Sequence, residues 1–351
     1  GYVASLMASL KQGRFDLSGD AQMSDEASVE VLNRLAERGT DDEVVYMFEL
    51  IEHMGDVECT PQALAVLDRD SSRIKILALD YLRKRGHPVA EGVIVGLLGH
   101  PDAGVRASAT SVVCLGPGFN AIDAMKNLLE DPDIRVRAEA AAGLLRCGHE
   151  AGKAWAVMKA LVSSENPEER ICSAHAIGHA GSAELQESLL LLLNDDVQGV
   201  QFAALEASKG IPCPEEIPTI VEMLAEDRTV EAASQALIAQ GDGGVEVLRK
   251  AAIHDPSGGV GRAAVHVPGV LARIGSRKAF SALRELFQSK VDSLRHAAID
   301  ATCRIIRERP MLQAEVGDLQ ELLLAEVWRN MVLQSLRDEM TELDGTDLLV
   351  E

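Results

Sequence analysis

Hydrophobic positions recur along this chain in two alternating patterns, and each pattern predicts an α-helix. The first pattern is rich in leucine at helical spacing, as in LQESLLLLLND at residues 185–195. The second follows a short polar turn, carries small residues on one face and ends at a glycine, as in DPDIRVRAEAAAGLLRCG at residues 131–148. Proline cannot continue a helix interior, aspartate caps the next helix and glycine ends it, so each pair predicts a helical hairpin.

The hairpin pattern occurs nine times, with 30 to 34 residues between equivalent positions. The residue that anchors each second helix is Val44, Ile74, Val105, Val136, Glu169, Val200, Val230, Val260 and Leu294. One hairpin cannot bury its apolar face alone, but stacked neighbours can. We therefore expect an all-α fold, a right-handed α-solenoid of about nine hairpins with capping helices at the ends.

Three segments follow from the extent of the repeat. Residues 1–27 are expected to be an N-terminal helix and linker, and residues 28–310 the repeat solenoid. Residues 311–351 break the repeat pattern and predict a longer C-terminal helix that caps the last hairpin or connects it to a further domain. Within the solenoid, Pro268 predicts a kink or break in one second helix. A tolerated insertion is favoured there over a functional hinge between two stacks.

The motif Asp-x-x-Val-Arg-x-x-Ala-x-x-x-Leu, clearest at residues 102–116 and 133–148, resembles the HEAT-like repeat in the short form named after phycobilin lyases. The resemblance implies a solenoid that serves as a scaffold or adaptor, although the family includes a few enzymes. It also implies a structural ladder in which a turn aspartate and an early arginine bond neighbouring units. The ladder residues would be Asp102, Arg106, Asp133, Arg137 and Arg170. The four-residue spacing also permits local pairing of Asp102 with Arg106.

A narrower resemblance concerns the opening YVASLMASLKQGRFDL and the segment EVVYMFELIEHMGD at residues 43–56. Both are similar to the soluble part of bacterial fusion proteins in which an ATP/ADP-translocase-like transporter domain precedes HEAT-like repeats. The resemblance implies a cytoplasmic part of a larger nucleotide-transport protein, tethered to a membrane through a missing domain. The absence of an initial methionine led us to expect an excised fragment.

The composition mainly excludes classes of function. The formal net charge of -21 opposes nucleic-acid binding, and no apolar run approaches the roughly 18–20 residues that cross a bilayer. Six cysteines without a CxxC pair predict free thiols in a reduced, cytoplasmic setting. No cofactor is expected.

The sharpest candidate for chemistry is ICSAHAIGHAG, which places Cys172, His175 and His179 along one helical stripe. Thiolate and imidazole are zinc or iron ligands, but a structural zinc site takes four ligands and no CxxC or HExxH motif supplies the rest. The HEAT-like enzyme deoxyhypusine hydroxylase uses several His-Glu pairs to hold two irons, whereas this chain has one pair, His149-Glu150. A packing role is favoured over a metal site.

A partner surface is expected on the second helices, at the position six residues after each anchor. It is formed by Asp80, His175, Glu206, His266 and Asp300. This mildly acidic surface suits a protein or peptide partner of basic character. The sequence therefore predicts a non-enzymatic protein-interaction scaffold or linker domain with no catalytic residues. The alternative is a metal- or small-molecule-dependent enzyme of the lyase or hydroxylase type.

Overall fold

The computed structural model describes residues 26–54, 58–113, 115, 119–211, 214–253, 262–289 and 291–308. Within these ranges the chain forms 18 α-helices and no β-strand. The expected N-terminal helix and C-terminal capping helix fall outside the described residues, except for residues 26 and 27. No described helix has both the length and the apolarity needed to span a bilayer.

The helices form nine consecutive hairpins, which divide into two compact units between Ile211 and Pro212. The first unit contains α1 Glu26–Arg38, α2 Asp41–Met54, α3 Thr60–Ala65, α4 Ser72–Lys84, α5 Glu91–Leu98, α6 Ala103–Val113, α7 Phe119–Asn127, α8 Ile134–Arg146, α9 Ala151–Val162, α10 Pro167–Ala180, α11 Gln186–Leu193 and α12 Gln198–Ser208. The second unit contains α13 Ile217–Glu222, α14 Val230–Gln240, α15 Val245–Ile253, α16 Arg262–Ile274, α17 Arg277–Leu286 and α18 Asp292–Glu308.

Even-numbered helices are the second helices of the hairpins, and each packs beside the next within its unit, as do α4, α6, α8, α10 and α12. The small residues of α8 explain this packing, because Ala138, Ala140, Ala141 and Ala142 are fully buried. Stacked helical hairpins of this kind are an all-α solenoid, as predicted.

The predicted start and stop signals act as expected at α10. Asn166 caps the helix by accepting a hydrogen bond from the backbone N–H of Glu168, and Pro167 occupies the first turn. Gly181 ends the helix with a φ of 59°, and its N–H donates to the carbonyl of Ile177. Glycine adopts this left-handed conformation without the steric cost that a Cβ brings.

Two local expectations are wrong. Helix α16 continues through Pro268, which is buried inside it, so the predicted break does not occur. The apolar proline ring contributes to the packed face while the helix carries on to Ile274. Cys147 is disulfide-bonded, which contradicts the expectation of a free thiol at that position. Cys59, Cys172 and Cys303 are free.

The ladder exists, but its acidic partners differ from those expected. Arg106 bonds the carboxylate of Asp131 through Nε and Nη2, each at 2.9 Å, and Asp131 belongs to the next hairpin. Asp102 instead accepts hydrogen bonds from the backbone N–H groups of Gly104 and Val105 at the start of α6. Local pairing of Asp102 with Arg106 is therefore replaced by a cap and an inter-hairpin bond.

Arg170 forms the second such bond, to Asp195 of the following hairpin at 2.7 and 2.9 Å. Arg137 lacks an equivalent partner, because Ser164 occupies the place that Asp131 and Asp195 hold in their hairpins. Glu169 is near it, but with a looser distance of 3.8 Å between the charged atoms. Asp133 caps α8 and pairs with Arg135 rather than with Arg137.

A second hydrogen bond is shared by six of the nine residues that directly follow an anchor. Each side chain donates to the carbonyl six residues earlier and so closes the turn of its own hairpin. The bonds join Lys75 to Arg69, Arg106 to His100, Arg137 to Asp131, Arg170 to Ser164, Gln201 to Asp195 and Arg295 to Ser289. Gln201 carries no charge, but its side-chain amide keeps this hydrogen bond.

Candidate functional site

A cavity of about 240 Å³ opens on the second helices of the first unit, where α4, α6, α8 and α10 lie side by side. Its small residues come from α6 and leave room between the flanking helices: Gly104, Ala107, Ser108 and Ser111. The remaining lining is contributed by α4, α8 and α10: Ile76, Asp80, Arg83, Arg135, Glu139, Cys172, His175 and His179. The repeat thus brings four of the sequence-predicted residues, Asp80, Cys172, His175 and His179, into one place.

Asp80 lies on the α4 side of this cavity and is held by two cations. Its carboxylate is 2.5 Å from Nη2 of Arg83 and 3.2 Å from Nζ of Lys84. Burial acts to raise the pKa of Asp80, but the hydrogen bonds and charges of Arg83 and Lys84 outweigh it and hold the pKa below its usual value. Asp80 is therefore an ionised but already neutralised group.

Asp80 also borders a second cavity, of about 320 Å³, between α2 and α4. Its floor is apolar and aromatic: Phe48, Ile51, Leu77 and Tyr81. Its rim carries both signs of charge: Glu49, Glu52, Lys84 and Arg85. The two cavities share Asp80 and are therefore neighbours; we call the surface of α2 to α10 that carries them the binding groove.

The aromatic floor of the second cavity is fixed by contacts on both sides of Tyr81. The Tyr81 ring lies 6.2 Å from the ring of Phe48, and its hydroxyl accepts a hydrogen bond of 2.7 Å from the backbone N–H of Cys59. The guanidinium of Arg85 sits 5.6 Å from the Tyr81 ring centroid, a cation–π geometry. Such a rigid apolar cavity suits an apolar side chain of a partner.

Glu139 and His179 join α8 to α10 across the first cavity. Nδ1 of His179 is 2.5 Å from Oε1 of Glu139, and the glutamate is buried. The sequence analysis missed Glu139, although it is an acidic residue within an otherwise apolar run, RAEAAAG. A charge in that setting is a signal for a buried partner, because an unpaired buried carboxylate is costly.

His175 lies one turn before His179 and points to solvent at the cavity mouth. Desolvation by the surrounding helices lowers its pKa first, the neighbouring His179 lowers it further, and Glu139 and Glu206 oppose the shift. Burial raises the pKa of the Cys172 thiol despite the nearby Arg135. Cys172 is thus a protonated, weakly reactive thiol at neutral pH.

The three candidate metal ligands do not converge. His179 is engaged by Glu139, while Cys172 and His175 occupy other positions along the cavity wall. Among the residues that the structure describes, no group of three or more histidine, cysteine, aspartate or glutamate side chains is placed to hold a metal ion.

The residues of the predicted partner surface are divided between the two units. Asp80 and His175 line the first cavity, whereas Glu206 is exposed on α12 and pairs with Lys209 at 2.6 Å. His266 and Asp300 are exposed on α16 and α18 of the second unit. The same register position is buried in other hairpins, at Leu50, Ala142 and Ala236, because packing of neighbouring helices varies along the stack.

A family model described as HEAT repeats matches residues 122–207 and, in a second overlapping match, residues 154–239. The chain contains HEAT repeats. They include α8, α10, α12 and α14, and therefore the part of the first cavity formed by α8 and α10. No curated protein matches the chain.

Several solved structures are similar to this chain at low identity. A chain of the Kap95:Nup1 complex matches with a TM-score of 0.34 and 12% identity, over 92% of this chain and 50% of that one. Human deoxyhypusine hydroxylase in complex with glycerol matches with a TM-score of 0.31 and 14% identity, over 88% of this chain and 100% of that one. An engineered protein matches with a TM-score of 0.29 and 19% identity, over 88% and 92%. Similarity at this level carries no argument about function.

Proposed function

We propose that this chain is a non-enzymatic protein-interaction scaffold that holds an extended segment of a partner protein in the binding groove of its first unit. The observation that carries the proposal is the adjacency of the two cavities, which share Asp80 and together border five consecutive second helices, α2 to α10. Concave surfaces of stacked helices are the usual binding surfaces of solenoids.

The groove dimensions favour an extended peptide over a small molecule. Neighbouring helices pack at about 8–10 Å, so the four intervals from α2 to α10 measure roughly 32–40 Å. An extended chain rises about 3.3 Å per residue, which makes the occupant about ten to twelve residues long. The aromatic floor near Tyr81 would take an apolar side chain, and the first cavity a polar one.

The partner is proposed to be basic overall. The formal net charge of -21 gives the chain a negative field that attracts basic proteins and speeds their association. This contribution acts at long range, since two of the three acidic members of the predicted surface, Asp80 and Glu206, are paired with cations of their own. Association should therefore slow as ionic strength rises.

The parentage suggested by residues 2–17 and 43–56 also belongs to this proposal. A scaffold segment of a translocase-like fusion protein would lie on the cytoplasmic side of a membrane and bind a partner or neighbouring domain there. The repeat would be of the type named after phycobilin lyases, without lyase chemistry.

A selection of random twelve-residue peptides against the whole chain tests the proposal. Enriched peptides should protect backbone amides of α2 to α10 from hydrogen exchange, and Ser111→Trp should weaken their binding by filling the first cavity. Ala156→Trp is the matched control, because Ala156 is exposed on the outer helix α9. Protection confined to other helices, or equal binding by both variants, would contradict the proposal.

A further inference from the structure

We infer that the first cavity binds a single carboxylate side chain, a glutamate presented by the partner segment, between Arg83, Arg135 and His175. The inference rests on the proposed function and specifies the chemistry of one position within it. It differs from the long-range preference for a basic partner, because it concerns one buried contact and not the overall charge.

The cavity does not share the strong negative charge of the chain, because its arginines and carboxylates are equal in number. Two arginines and two histidines line it, against the two carboxylates of Asp80 and Glu139. Both carboxylates have partners, since Asp80 is held by Arg83 and Lys84, and Glu139 by His179. A cationic side chain of the partner would therefore find both carboxylates already paired, whereas a carboxylate would meet two arginines.

The cations retain hydrogen-bond donors that the cavity itself does not use. Arg83 bonds Asp80 through Nη2, so Nε and Nη1 stay available. Arg135 bonds Asp133 through Nε and Nη2, which leaves Nη1. His175 makes no hydrogen bond to the part of the chain that the structure describes. Hydrogen-bond donors from three helices, α4, α8 and α10, thus line the first cavity.

The shape and charge of the space favour a carboxylate over a phosphoryl group. Ile76 and Ala107 provide apolar surface for the methylene stem of a glutamate. A dianion would be repelled twice as strongly by Asp80 and Glu139, which also line the cavity. Arginine binds a carboxylate with charge-assisted hydrogen bonds that are about twice as strong as neutral ones.

Nuclear magnetic resonance of the histidine rings in the full chain tests the inference directly. The probe is N-acetyl-glutamate methylamide, compared with N-acetyl-glutamine methylamide, which has the same shape but no charge. The glutamate derivative should shift the His175 resonances saturably and raise the midpoint of the His175 titration, while the glutamine derivative should not. N-acetyl-phosphoserine methylamide is the third probe and should bind more weakly than the glutamate derivative.

Two substitutions assign the response to the cavity. Arg135→Gln should weaken the probe about tenfold, the loss of one charge-assisted hydrogen bond. Its side chain is 55% exposed, so the fold should tolerate the change. Arg83→Gln should have a similar effect, with its thermal melting curve compared to the parent chain as a check of folding. Arg228→Gln, in an exposed turn of the second unit, is the control that should keep full binding.

Equal shifts with the glutamate and glutamine derivatives, or no shift at about 100 mM of the glutamate derivative, would overturn the inference. Tighter binding of the phosphoserine derivative would also overturn it and assign the cavity to a phosphorylated partner. If selected peptides still protect α2 to α10 while these probes fail, the proposed function stands and only the carboxylate anchor is wrong.

Discussion

Arg106 and Asp131 lie 25 residues apart and join two successive hairpins through a bidentate ion pair, with both N–O distances at 2.9 Å. The side chains are 14% and 6% exposed. A third donor of Arg106, Nη1, bonds the carbonyl of His100 and closes the preceding turn. One guanidinium therefore fixes both the shape of its own hairpin and the stacking of the next. The planar guanidinium of arginine, with its several fixed donors, suits this double role better than the ammonium group of lysine.

Asp131→Asn should lower the free energy of unfolding by about 3 kcal/mol, because it leaves a largely buried guanidinium without its counter-charge. The amide keeps the size of the side chain and an oxygen to accept the backbone N–H of Asp133. Urea denaturation measures the change. Glu169→Gln is the matched control: its 3.8 Å contact with Arg137 is loose and partly exposed, so its removal should change the free energy of unfolding by less than about 0.5 kcal/mol. Equal effects of the two substitutions would contradict the ladder.

Ser164→Asp should add the bond that is missing between the fourth and fifth hairpins. Ser164 holds the place of Asp131 and Asp195, and it already accepts the backbone N–H two residues later, as they do. An aspartate there would face Arg137, whose Nη1 now bonds only turn carbonyls. We expect a gain of about 1 kcal/mol in the free energy of unfolding.

The control for this gain is the same substitution combined with Arg137→Gln. The glutamine can still bond a carbonyl of the turn, as Gln201 does, but it offers no charge to the new carboxylate. The gain should then disappear. A gain that persists in the double variant would mean that the aspartate stabilises the start of α10 by itself.

Gly178→Ala should destabilise the first unit, because helices α10 and α12 approach most closely there. A Cβ added at Gly178 would lie 2.7 Å from the Cα of Ala207, and the backbone of α12 must shift to admit it. Over-packing of this kind costs about 1–3 kcal/mol, more than the helix propensity that alanine gains over glycine. Gly96→Ala is the control, since a Cβ there meets nothing within 4 Å in the exposed face of α5. That substitution should raise the thermal midpoint while Gly178→Ala lowers it.

Local signals in the sequence were enough to predict the hairpins, and the reason is visible in the caps. Asn166, Pro167 and Gly181 act within a few residues of their own positions, so their chemistry can be interpreted without knowing the fold. The ladder partners could not be predicted in the same way. Proximity in sequence favoured Asp102 for Arg106, whereas the partner that the stacking supplies is Asp131.

The candidate site was also predictable only in part, because some of its contacts depend on how the helices stack. The register of the second helices correctly placed Asp80 and His175 on an accessible face, but it also placed Ala142 there, which is fully buried. Glu139 and His179 are 40 residues apart, and their contact depends on the offset between α8 and α10. A helical period says which residues share a face and does not say which neighbouring helix covers it.

His175 should make the stability of the chain depend on pH below neutrality. Its pKa in the folded chain is lowered by burial and by His179, so the unfolded chain, with a pKa near 6.5, binds the proton more readily. The free energy of unfolding should therefore fall as the pH drops below about 6.5, in the range where the unfolded chain gains a proton that folded His175 resists. His175→Gln removes this proton uptake, and its free energy of unfolding should fall less than that of the parent chain between pH 7.5 and 5.5.

Urea titrations at both pH values measure the difference, with His266→Gln, exposed on α16, as the control that should behave like the parent chain. An identical loss in His175→Gln and the parent chain would contradict the prediction and show that Glu139 and Glu206, which favour the protonated ring, offset burial and the neighbouring His179.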